Sequence, residues 1–177
     1  MSRYMLIFVL LLSSAQAAQE PGITRAIGVM PVEPLSVEIT THLGDAQRFQ
    51  TGDELTFLVN LNKKAYLTIV FQDAGGALIQ ILPNRKATSN LYDPGWYFAV
   101  PNARDPFMYR VAAPYGNEYV YVFASDKPLP ELAGAETGGG LRLLQGDVAA
   151  IESKLVAYAA ASGAELSRYR THMVTAP

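Results

Sequence analysis

Cysteine is absent from all 177 residues. With it go disulfides, thiol nucleophiles, cysteine metal sites and a lipid-modified cysteine at a processed N-terminus. Histidine is nearly as scarce. His42 and His172 stand far apart, in neither an HxH nor an HExxH pattern, so both read as solvated or turn residues rather than metal ligands. Ser36, Ser89, Ser125, Ser153, Ser162 and Ser167 lack a GxSxG elbow, and Ser153 sits next to Lys154 where a lysine-activated serine needs two intervening residues. A triad assembled from distant positions is the one hydrolase route left. No D-x-D-x-D-G calcium loop occurs. Asp45, Asp53, Asp73, Asp93, Asp105 and Asp126 fall at turns, where such side chains bond nearby backbone. Gly138-Gly139-Gly140 lacks the GK[ST] ending of a phosphate loop and reads as a flexible linker. Basic residues are outnumbered, 14 against 16 acidic, for a net charge of −2. That balance offers no basic stripe for nucleic acid. No catalytic residue, cofactor or metal is expected, and the chain reads as non-enzymatic.

Long apolar runs are missing too. The longest is Met5–Leu12, preceded by Arg3 and followed by Ala15-Gln16-Ala17. A membrane span needs about 20 apolar residues, whereas a basic residue, a short apolar run and a small-x-small site make a secretory leader. The expectation is cleavage after Ala17, leaving no membrane span and a periplasmic or secreted product. Loss of Arg3 takes the net charge to −3. Half of the residues are hydrophobic, enough to bury one core without disulfides.

What is present is a succession of strands. Positions 18–34, with Pro21, Pro31 and Pro34, read as an extended N-terminal arm in which Ile27–Met30 could add an edge strand. Leu35–Thr41 alternates as a first core strand, and polar Asp45–Thr51 leads to a turn at Gly52-Asp53. Leu55, Phe57, Val59 and Leu61 recur at period two; so do Ala65, Leu67, Ile69 and Phe71, with Tyr66, Thr68 and Val70 on the other face. Asn62-Lys63-Lys64 and Asp73-Ala74-Gly75-Gly76 turn the chain before and after that second run, and Ala77–Leu82 follows, stopped by Pro83-Asn84. Further strands are expected at Trp96–Phe98, Phe107–Val111 and Glu118–Ala124. In the last, Val120, Val122 and Ala124 share one face and Tyr119, Tyr121 and Phe123 the other. About seven or eight short strands at roughly ten-residue spacing predict an immunoglobulin-like antiparallel β-sandwich.

After residue 129 the pattern changes. Positions 130–146 read as a flexible loop. Within 147–177, Asp147 is an N-cap and Val148, Ile151, Leu155 and Tyr158 recur at helical spacing up to Gly163. The polar face of this helix is not basic, so its apolar stripe is expected on the sandwich rather than on a membrane. Arg168–Val174 could return as a final strand.

Aromatics are the remaining candidates for function. Tyr92, Trp96, Tyr97 and Phe98 cluster beside a polar loop in a chain with 10 tyrosines. Tyr92, Trp96 and Tyr97 could form a surface platform for a sugar or a protein partner. Alternatively, Trp96 and Phe98 fill the core while Tyr97 covers its rim, and the enrichment of aromatics in strands favours this second arrangement.

Gly52-Asp53, Asn62–Leu67, Asp73 with Gly75-Gly76, and Leu82-Pro83-Asn84 resemble the bacterial domain of unknown function DUF4384. Trp96-Tyr97, Pro101 and Pro114-Tyr115-Gly116 look like the rest of its pattern, over roughly 35–129. The resemblance implies a secreted or envelope β-domain with no catalytic residues to carry over, sometimes encoded with type VI secretion components. The expectation is a 35–129 sandwich core that binds an envelope protein through an edge strand or the Trp96 loop. Peptidoglycan or glycan binding through the aromatic cluster is the alternative, followed by an immunity protein or a cryptic hydrolase.

Overall fold

Alternation of buried and exposed side chains builds two sheets that share one core. The computed structural model describes residues 32–177. The expected leader at 1–17, the Ile27–Met30 strand and the arm up to residue 31 lie outside the described residues. In chain order the strands are β1 Val37–Thr41, β2 Arg48–Gln50, β3 Glu54–Leu55, β4 Phe57–Leu61, β5 Ala65–Gln72, β6 Leu78–Leu82, β7 Leu91–Tyr92, β8 Phe98–Val100, β9 Tyr109–Arg110, β10 Asn117–Ser125, β11 Gly134–Glu136 and β12 Arg142–Leu144. Helix α1 follows at Val148–Ser162, then β13 at Leu166–Ala176. The class is mainly β with one C-terminal helix. No helix among the described residues is long and apolar enough to cross a membrane.

The smaller sheet runs β1-β4-β8. The larger runs β11-β12-β6-β5-β10-β13-β2, with β7 pairing on β5 beyond the end of β6. Pairing is antiparallel except between β13 and β2, and β3 pairs separately with β9. Ile39, Phe57 and Val59 from the small sheet bury against Leu67, Ile69, Val120, Val122 and Met173 from the large one. This is the sandwich interior.

The large sheet is covered on its second face as well. Val70, Leu78, Tyr121 and Phe123 pack there against Ile151 and Leu155 of α1. The central strands β5 and β10 are therefore buried on both faces, Val70 to 1% and Phe123 to 1% exposure. Asp147 caps α1 as expected, accepting a bond from Ala150 N at 2.8 Å. Gly163 closes it in the left-handed conformation with φ 62°. Lys127 Nζ donates to the last-turn carbonyls of Ser162 and Gly163. Ala159 completes the buried stripe; Tyr158 stands beside it and donates its hydroxyl to Pro128 O at 2.9 Å.

The turn residues do what their chemistry suggests. Asp73 Oδ1 accepts from Ala77 N at 2.8 Å while Gly76 takes φ 88°. Asn62 accepts from Ser36 N and donates to Pro34 O, which ties the start of β1 to the β4–β5 turn.

Two regions differ from expectation. Positions 130–146, expected as a flexible loop, contain the β11–β12 hairpin, which extends the large sheet through Arg142↔Gln80 and Leu143↔Ile79. Gly138–Gly140 lies in its turn, where the Gly140 N–H donates to Thr137 O. The stretch Asp45–Thr51, read as a polar lead-in, supplies β2, whose Phe49 is buried beside β13.

Candidate functional site

The loop from Asp93 to Tyr97, between β7 and β8, presents the most exposed large apolar side chain of the described residues. Trp96 is 94% exposed. It was expected to fill the core with Phe98; instead β8 begins only at Phe98, and the chain before it departs from strand conformation. Gly95, at φ 139°, makes that departure possible, a conformation L side chains rarely adopt. The loop backbone is pinned. Gly95 N donates to Leu61 O, Asn60 Nδ2 donates to Gly95 O at 3.0 Å, and Lys64 pairs with Asp93 at 2.9 Å.

Tyr97 lies half exposed beside Trp96, and its hydroxyl donates to Glu38 Oε2 at 3.0 Å. That hydrogen bond, with slight desolvation, raises the Tyr97 pKa. Tyr92 goes elsewhere. Its ring stacks on Phe98 with centroids 4.4 Å apart and planes 6° from parallel, and burial followed by the nearby Asp105 raises its pKa. The three candidate aromatics thus divide into an exposed pair, Trp96 and Tyr97, and a support, Tyr92, beneath Phe98.

A second feature is a groove of about 320 Å³ at one end of the sandwich interior, under the β3–β9 pair. Phe71, Ile79, Ile81 and Val111 line it, with Asp73 and Glu118 among them. Glu118 is only 3% exposed, and its Oε1 accepts from Thr175 Oγ1 at 3.1 Å. Desolvation pushes its pKa up to about 7; the Thr175 bond opposes that rise, and Asp73 adds to it. The Tyr109 hydroxyl, bonded to Ile81 O at 2.9 Å, is also held well above its ordinary value, chiefly by burial. In the sequence Glu118 stands at the start of an apolar alternating strand and belongs to no catalytic or binding motif. One signal was available: Glu118 shares the inward face with Val120, Val122 and Ala124, where a carboxylate is out of place.

A wider cleft of about 450 Å³ lies around Gln80 and Arg142. Its charges are largely satisfied internally, Arg142 with Glu131 and Arg85 with Glu136.

Among the described residues, neither histidine is hydrogen-bonded to a serine. His42 Nδ1 accepts weakly from Thr56 N at 3.4 Å and its ring tilts on Phe49, whereas His172 packs near Tyr119. Among the described residues, no cluster of three or more histidines and carboxylates could hold a metal ion.

No curated protein and no solved structure matches this chain. A family model does, over residues 48–128. That span begins at β2 and ends just beyond β10, so it contains the Trp96 loop and most of the groove, whereas β1, α1 and β13 lie outside it. Residues 48–128 are therefore similar to the family described as Domain of unknown function (DUF4384).

Proposed function

We propose that this chain is a non-enzymatic interaction module of the cell envelope, whose Trp96 tip docks a protein partner. The observation that carries this reading is the exposure of Trp96 on a loop whose backbone is held by Asn60, Leu61 and Lys64. An indole kept in water gains nothing for folding, yet buried in a partner's pocket it makes a strong anchor, worth at least about 2 kcal/mol on truncation. A loop already fixed by hydrogen bonds loses little further entropy on docking. Tyr97, oriented by Glu38, would supply the polar edge of the contact. The envelope location rests on the leader-like N-terminus, and a role accessory to an envelope or type VI secretion apparatus rests on the family resemblance.

The test is a pull-down from envelope extract with the wild-type protein beside a Trp96→Ala, Tyr97→Ala variant. A defined protein retained by the first and lost by the second is the expected result. Retention of peptidoglycan alone would overturn the reading and favour glycan binding through the same two rings.

A further inference from the structure

We propose that the groove beneath β3 and β9 binds a small organic amine, its apolar chain along Phe71, Ile79 and Val111 and its ammonium group against Glu118 and Asp73. At about 320 Å³ the groove suits a small molecule, near the lower end of the roughly 300–1,000 Å³ typical of ligand pockets. Its wall is mainly apolar, which favours a hydrocarbon chain.

The polar end selects the head group. Glu118 is buried, with Thr175 Oγ1 as its hydrogen-bond donor, and no lysine or arginine among the described residues pairs with it or with Asp73. The titratable and charged groups facing Glu118 across the groove are Asp73 from the β5–β6 turn, and Tyr109 and Arg110 from β9. β13 offers Met173 and Thr175, neither of which carries charge. Tyr109 is tied to Ile81 O, and Arg110 is already paired with Glu54 at 2.9 Å. Two carboxylates thus line one mainly apolar groove, and no cation among the described residues is paired with either. A desolvated carboxylate is stabilised most by a cation brought into the same enclosure. An anionic ligand would be repelled, and a neutral alcohol would gain only the burial of its chain.

Titration calorimetry with hexylammonium, hexanol and hexanoate, each at pH 8 and pH 5, tests this on the wild-type protein. At pH 8 hexylammonium should bind at least tenfold more tightly than hexanol, and hexanoate more weakly than either. The ammonium preference should shrink at least tenfold at pH 5, where Glu118 is protonated. In Glu118→Gln the preference should fall to near parity, with hexanol binding unchanged. Equal affinities of ammonium and alcohol at pH 8, or no binding of any of the three at millimolar concentration, would overturn the proposal. So would a lysine-containing tripeptide that outcompetes hexylammonium, because the occupant would then be a protein side chain. If Glu118→Gln fails to fold, the ligand and pH comparisons on the wild-type protein decide alone.

Discussion

Replacing Glu118 by Gln should make the protein more stable at neutral and alkaline pH while leaving it almost unchanged in acid. In the folded state the carboxyl holds its proton up to a pKa of about 7, against 4.5 for an ordinary glutamate. The folded protein therefore binds more protons than the unfolded chain between those values, and stability falls as pH rises through that window. Below about pH 4 both states are protonated and nothing is lost; above about pH 7 the full penalty is present. At about 1.4 kcal/mol per pH unit the gap corresponds to about 3 kcal/mol, and the opening of the groove to water reduces the expected figure to about 2 kcal/mol. Gln keeps an acceptor for Thr175 Oγ1 and carries no charge to desolvate. For a domain of this size about 2 kcal/mol raises Tm by roughly 4–8 °C. The assay is thermal unfolding of both proteins at pH 4, 5, 6, 7 and 8. The two curves should meet near pH 4 and separate progressively to pH 8. A constant difference across that range would refute the assignment of the penalty to Glu118.

Three further outcomes are expected. Leu155→Ala, at a side chain fully buried between α1 and the large sheet, should cost about 2–5 kcal/mol through the cavity it leaves, measured by urea unfolding. Asp147→Ala should cost about 1 kcal/mol by removing the bond to Ala150 N, and amide exchange in the first turn of α1 should accelerate. Trp96→Ala alone should leave unfolding within about 0.5 kcal/mol of the wild type, because the ring touches solvent rather than core; a larger loss would place Trp96 in a structural role and weaken its reading as a docking anchor.

Most strands could be read from the chain because their signals are local. Period-two runs at β4, β5 and β10, the Asp73–Gly76 turn, and the Asp147 and Gly163 caps of α1 each depend on residues within a few positions of one another. The short strands were harder. β2 is three residues long, and it is held by a parallel partner far along the chain, β13. β11 and β12 form because β12 finds the edge of β6, so a glycine-rich segment became part of the sheet.

The candidate site divides in the same way. That Tyr92, Trp96 and Tyr97 are neighbours was legible, but their separation into an exposed pair and a stacked support was not. It depends on Gly95 adopting φ 139° and on Asn60 of β4 tethering the loop backbone at Gly95. Composition excluded disulfide and thiol chemistry outright, since no cysteine exists to perform it, and alternation settled that the chain is mainly β. Which face each side chain meets was decided only in three dimensions. Periodicity shows that two faces exist, whereas burial depends on what distant segments cover them. Helix α1 covers one face of the large sheet and the small sheet covers the other, while the β3–β9 pair roofs an opening in which Glu118 lies out of bulk water with no cation paired to it among the described residues.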